Sequence, residues 1–110
     1  METDSALLAL AALAQGTRLQ VFRLLVRHEP HGLAAGEVAR QLEVPQNTMS
    51  SHLALLARAG LVKSVRHSRL IIYRANLDCL RELSLFLIRD CCGGRSELCG
   101  ALVAELQLSC

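Results

Sequence analysis

The chain has 110 residues, of which 52% are hydrophobic but only 3% aromatic, and its formal net charge is +2. That length supports one domain with a modest core, and the balance of charge by itself points to no partner. Five cysteines, all from Cys79 onward, make an odd number in a Leu-rich, helical-looking chain. They exclude a disulfide scaffold and read as reduced, cytoplasmic thiols. With so few aromatics, Leu and Ala must build the core, and the excess of Leu is more than so small a monomer can bury. A homodimer interface accounts for it.

The distribution of charge says more than its sum. Residues 16–75 carry nine Lys or Arg against three Glu, whereas both ends are mildly acidic. A basic centre between acidic termini fits a central nucleic-acid module with terminal helices turned toward a partner.

The first expected helix, residues 6–15, has Leu7, Leu10 and Leu13 on one side with Leu8 flanking. Glu2 and Asp4 stand where a secretory leader would carry basic residues, and the stretch is too short to span a bilayer. We therefore expect no membrane association, and the apolar side should pack on a second subunit. Gly16-Thr17 punctuates this helix, and Thr17 can cap a second one bearing Leu19, Val21, Phe22, Leu25 and Val26. His28-Glu29-Pro30-His31-Gly32 breaks it. A short third helix follows over 35–42, with Val38 and Leu42 on one side, and Pro45 is suited to the first turn of a fourth.

The fourth helix, about 45–59, is the most interpretable element. Met49, Leu53 and Leu56 recur at i, i+4 and i+7 and should face the core, leaving Gln46, Asn47, Ser50 and Ser51 as a short, uncharged, hydrogen-bonding face. Such side chains can approach base edges and phosphates. A solvated helix side is the alternative reading of the same residues. Gly60 can supply the left-handed conformation that ends this helix. Two β-branched runs, Leu61–Arg66 and Arg69–Arg74, then flank a turn at His67-Ser68. They predict a hairpin over 61–75 whose tip carries Arg66, His67 and Arg69, suited to neutralising phosphates. Asn76 caps a last long helix over 77–92, with Asp78 in its first turn and Leu80, Leu83 and Leu87 along one side. Gly93-Gly94 should end it, leaving 91–110 as a thiol-bearing tail.

This order of elements is that of a winged helix-turn-helix protein, mainly α with a small β-hairpin wing, in one domain over 1–110 with the helix-turn-helix at 35–59. The segment VPQNTMSSHLALLARAGLVKSVRHSRLIIYR resembles the recognition helix and wing of the ArsR/SmtB family of metal-responsive repressors. The residues that carry the resemblance are Ser50, His52, Leu53, Leu56, Ala59, Gly60, Leu61, Val62, Arg66, Arg69 and Tyr73. It extends less sharply over 6–90, including TRLQVFRLL. The resemblance implies a cytoplasmic, non-enzymatic repressor that dimerises through its first and last helices and binds double-stranded operator DNA. Gln46, Asn47, Thr48, Ser50, Ser51 and His52 on the recognition helix, and Lys63, Arg66, His67 and Arg69 on the wing, are the expected DNA contacts. His52 falls in the recognition motif, where a structural role is equally implied.

The chain also departs from the family pattern. Ser51 stands where a basic residue is frequent, and Ser68 where the wing turn often has Gly. The third helix, AAGEVARQL, lacks the cysteine pair of many arsenic sensors. The last helix offers Asp78, Glu82 and Asp90 but no His, so it does not reproduce the ligand set of the zinc sensors.

Cys91, Cys92 and Cys99 remain as the candidate ligand site. Soft thiolates select soft acceptors. Trivalent arsenic or antimony prefers a pyramidal three-sulfur arrangement and needs no fourth ligand. Adjacent cysteines on a regular helix diverge by about 100°, so the helix should end at this pair, and Gly93-Gly94 would let the chain return Cys99 toward it. Some arsenic- and antimony-responsive members of the family are similar in having such a pair with a third cysteine beyond. As(III) or Sb(III) is thus the expected inducer, with no catalytic cofactor. Oxidation or reactive-sulfur chemistry of the same thiols, or a soft divalent metal, is the alternative signal. Cys79 is expected in the core or an interface, and Cys110 is assigned no role. An oxidoreductase is disfavoured, because no Cys-x-x-Cys opens a helix after a strand.

Overall fold

The computed structural model describes residues 1–91 and 96–109. Its elements in chain order are α1 (Thr3–Leu13), α2 (Gly16–Arg27), β1 (Leu33–Ala34), α3 (Ala35–Leu42), α4 (Gln46–Arg58), β2 (Val62–His67), β3 (Leu70–Ala75), α5 (Leu77–Cys91) and α6 (Ser96–Ser109). The arrangement is a winged helix-turn-helix: a mostly helical body with a small antiparallel sheet ordered β1-β3-β2. Among the described residues no single helix is long and apolar enough to cross a membrane.

The core is built where helical spacing brings apolar residues onto one side. Val21, Leu25, Val38, Met49, Leu53, Leu56 and Leu61 are its largest fully buried side chains. In α1 the inward face is Ala6, Ala9 and Ala12, while Leu7 and Leu8 are 58% and 47% exposed. Small residues let α1 lie close on α2 and α4; of the expected leucine stripe, Leu7 and Leu10 are turned outward, free to meet a partner, while Leu13 packs against the core. In α2 the expected set is also adjusted, because Leu24 is buried and Leu19 is exposed.

Thr17 does not cap α2. The cap is Gln15, whose side-chain oxygen accepts the Arg18 backbone N–H at 2.8 Å. An N-cap is set by which side chain reaches the free N–H groups of the first turn, and Gln15 stands one residue before the helix with extended backbone.

The break after α2 contains a strand that periodicity did not reveal. β1 is two residues long, too short for alternation to register, and pairs Leu33 with Tyr73 and Ala34 with Ile72. Gly32 makes the approach feasible: its φ is +72°, and an added Cβ would lie 2.5 Å from the Tyr73 carbonyl oxygen. The wing pairs β2 with β3 from Val62↔Ala75 to His67↔Leu70. Its two-residue turn is therefore Ser68-Arg69, one residue later than expected, and Ser68 takes a left-handed φ of 58°.

α3 spans the expected residues, and α4 carries Met49, Leu53 and Leu56 inward as its spacing requires, each no more than 1% exposed. Gly60 ends it at φ +82°. Asn76 stands before α5 as expected, with its carbonyl accepting from the Cys79 and Leu80 N–H groups. Its side-chain amide donates to the Gly60 carbonyl at 2.9 Å, so the end of α4 is fastened to the start of α5. The inward side of α5 is Cys79 and Leu83, with Leu80 and Phe86 half-buried, whereas Leu87 is exposed.

Most of the expected tail is instead the 14-residue helix α6. The stretch has no Pro and is rich in Leu, Ala and Glu, so its local propensity is helical. Gly93-Gly94, expected to end α5, lies outside the described residues.

Candidate nucleic-acid interface

Burial of Met49, Leu53 and Leu56 determines what α4 presents outward. Gln46, Asn47, Thr48, Ser50 and Ser51 are all exposed, with Ala54 and Leu55 continuing the outer surface. Around the helix, Gln46, Ser50, Asn47 and Ser51 form one arc that runs from beside the buried stripe to the far side. No charged residue lies on it before Arg58. The Asn47 carboxamide oxygen accepts the Thr48 backbone N–H at 2.9 Å, and the Ser51 hydroxyl donates to the Asn47 carbonyl at 3.4 Å. These weak local bonds leave the amide and hydroxyl groups able to reach an external partner.

His52 is placed differently from the rest of the set. It is half-buried, and its Nδ1 lies 3.4 Å from Nη1 of Arg18. Arg18 also donates from Nε to the Ala12 carbonyl at 2.7 Å. One guanidinium therefore joins the carboxyl end of α1 to the middle of α4. The sequence reading counted Arg18 only as one of the central bases. No local pattern marks this role, because the contact joins residues 34 apart in sequence.

The wing supplies the flanking cations. Lys63, Arg66, His67 and Arg69 are all exposed. Strand alternation and register put Lys63 and His67 on one face and Arg66 on the other. Arg66 Nε donates to the Ser68 carbonyl at 3.4 Å, holding that side chain near the turn. The tip also exposes Leu70 and Ile71, at 57% and 45%.

Ion pairing refines the count of free positive charge. Arg74, opposite Lys63 in the ladder, donates from Nε and Nη2 to the Glu29 carboxylate at 3.1 and 2.8 Å. Those bonds hold the Glu29 carboxyl below its ordinary range and tie the α2–β1 connection to the sheet. On α3, Arg40 is paired with Glu37, whose carboxyl is lowered to about 2 by Arg40 and Gln41. With Arg18, Arg40 and Arg74 engaged, the wing residues and Arg58 carry the free charge near α4.

The thiols fall at the other end of the chain. Cys79 is buried near Gly60, and burial pushes its thiol up, with Glu82 adding to the effect. Cys91 is the last residue of α5 and Cys99 the fourth of α6. Cys92 lies outside the described residues. Among the described residues no group of three His, Cys, Asp or Glu is close enough to hold a metal.

A helix-turn-helix whose second helix shows a polar arc, followed by a basic β-hairpin, defines a winged helix-turn-helix DNA-binding protein. A helix-turn-helix domain model matches residues 13–65. The transcriptional activator HlyU of Vibrio cholerae is 37% identical over 75 residues, covering 66% of this chain and 67% of that protein. Its structure in the reduced form is similar with a TM-score of 0.62 at 29% identity, over 77% of this chain and 87% of that one. An ArsR-like transcriptional regulator from Rhodococcus sp. RHA1 is similar with a TM-score of 0.72 at 28% identity, over 96% and 92% of the two chains. The homodimeric winged helix-turn-helix domain of Mb0332 from Mycobacterium bovis, a possible ArsR-family regulator, gives 0.65 at 29% identity over 77% of each. The chain belongs to the ArsR family of winged helix-turn-helix transcriptional regulators.

Proposed function

We propose that the protein is a homodimeric repressor that releases its operator when trivalent arsenic or antimony binds Cys91, Cys92 and Cys99. The observation that carries this reading is the clustering of Cys91, Cys92 and Cys99 within nine positions of the sequence, with no group of three candidate metal ligands among the described residues. Two recognition helices, each led by Gln46, Asn47, Ser50 and Ser51, would enter successive major grooves, with Arg66 and Arg69 on flanking phosphates. Homodimerisation is supported by the outward leucines of α1 and by the homodimeric Mb0332 domain. Three soft, anionic sulfurs suit a pyramidal metalloid and disfavour hard cations. An inducer that binds the non-DNA arrangement more tightly lowers operator affinity by its coupling free energy.

A second reading keeps the repressor and makes oxidant or reactive sulfur the signal. The relative solved in a form named as reduced favours it. Operator release titrated with arsenite, antimonite, cadmium and peroxide separates the two. Metalloid sensing predicts release by arsenite or antimonite that is lost in Cys91→Ser, Cys92→Ser and Cys99→Ser. Release by peroxide alone would establish the second reading instead.

A further inference from the structure

Helix α6 leaves an apolar surface uncovered along its middle turns. Every residue from 100 to 107 is exposed, including Leu102, Val103 and Leu106 at 42%, 49% and 54%. A lone 14-residue helix is marginal in water, and one with an apolar stripe is stabilised only by covering it. Glu105 flanks that stripe, one position from Leu106 on the adjoining arc of the helix.

On the body of the protein lies an open apolar groove of 470 Å³, floored by Leu19, Phe22, Val26 and Leu80 and bordered by Arg23 and Arg27. α2 contains no acidic residue, and among the described residues neither arginine has an ion-pair or hydrogen-bond partner. Spaced four apart, the two guanidinium groups face the same side of α2. The groove is thus apolar with a positive edge, and the outer face of α6 is apolar with a negative edge.

We propose that α6 of one protomer docks into the α2–α5 groove of its partner, with Leu102, Val103 and Leu106 on the apolar floor and Glu105 beside Arg23 and Arg27. This rests on the homodimer put forward above. A second copy offers the same groove, so two-fold symmetry lets both α6–groove contacts form at once. Leu80, the fourth residue of α5, lines the groove, and α6 begins five residues after α5 ends. The exchange would place Cys99 of each chain next to the body of the other.

The test uses full-length chains and sedimentation equilibrium. Leu102→Asp with Leu106→Asp should weaken dimerisation at least about tenfold with an unchanged melting profile of the helix-turn-helix body, since both positions are exposed. Arg23→Glu with Arg27→Glu in one chain, and Glu105→Arg in another, should each weaken the homodimer through like-charge contacts. Mixing these two variants should yield heterodimers in preference to either homodimer, since both α6–groove contacts are then attractive. A contact within one chain gives no such preference. A native chain that dimerises while the Asp variant dimerises equally well, and the charge variants mix statistically, overturns the docking and leaves the homodimer standing. A native chain that stays monomeric overturns both.

Discussion

Two helices of nearly equal length, α4 and α6, meet opposite fates. α4 buries Met49, Leu53 and Leu56 at 0–1% exposure, while Leu102, Val103 and Leu106 of α6 stay about half exposed. Both carry apolar residues at helical spacing, so amphipathicity alone does not decide burial. α4 is covered because α2, α3 and β2 of the same chain converge on its inner face, whereas α6 follows the last element that the core can use. The lesson is that surplus apolar spacing in a small regulator marks a surface awaiting another chain.

That contrast is broken most directly by truncating a leucine on each helix. Leu53→Ala should destabilise the protein by about 2–5 kcal/mol, the range for a fully buried leucine whose cavity cannot collapse. Leu102→Ala should change the stability of the dissociated protomer by less than about 0.5 kcal/mol, as surface substitutions do. Urea unfolding of each variant, followed by helical circular dichroism at a protein concentration low enough to keep the chain monomeric, reads both, since docking between protomers would otherwise add to the Leu102 effect. Equal losses would show that α6 is part of the same cooperative core.

The outward face of α4 and the wing can be compared through salt. Arg66→Ala and Arg69→Ala should each lower the slope of log affinity against log salt by about 1, because each phosphate contact releases counterions. Asn47→Ala, on the uncharged arc, should leave that slope unchanged while reducing discrimination between operator and random duplex. Fluorescence anisotropy over a series of salt concentrations measures both. A slope that falls equally in all three variants would mean that α4 only positions the backbone.

The fold was legible wherever several local signals agreed. Met49, Leu53 and Leu56 at helical spacing, bounded by Pro45 and Gly60, defined α4 within a residue at each end. Val38 and Leu42 did the same for α3. In α1 the leucine side was legible as a surface for a second subunit, and Leu7, Leu8 and Leu10 are exposed, but the alanine face that enters the core was not, because small residues give no strong apolar signal. β1 and the Gln15 cap escaped because each depends on a contact made elsewhere, with β3 and with the Arg18 N–H. The DNA-facing residues were readable as a polar face between buried positions, but the inward role of Arg18 toward His52 was not, since it joins residues 34 apart. For the thiols, the sequence supplies the donors, and α6 supplies a helix where a tail was expected.

The tie between the α2–β1 connection and the wing responds to acid. Arg74 holds the Glu29 carboxyl below its ordinary range, so the pair contributes fully above the unfolded carboxyl value of about 4.3. That contribution is lost as pH falls through the lowered folded value, where the carboxylate is protonated. Glu29→Gln should therefore be less stable than the native chain at pH 6, and the gap should close toward pH 3. Denaturation midpoints at pH 6, 4 and 3 test the sign, and a gap that widens in acid would assign the stabilisation to another group.

The smallest effect belongs to the wing turn, where two left-handed residues of the chain can be set against each other. Gly60 adopts φ +82° with no side chain to strain, but Ser68 adopts φ 58° carrying a Cβ. The left-handed region costs a non-glycine residue roughly 1 kcal/mol, and glycine removes that cost while adding freedom to the unfolded chain. Ser68→Gly should accordingly stabilise the protein by no more than about 0.5 kcal/mol. The Ser68 carbonyl that Arg66 Nε reaches is backbone, so the substitution leaves that bond in place. Operator affinity and its salt slope should then match the native chain, and a loss of affinity would show that the serine hydroxyl, not the turn geometry, is what the wing presents to DNA.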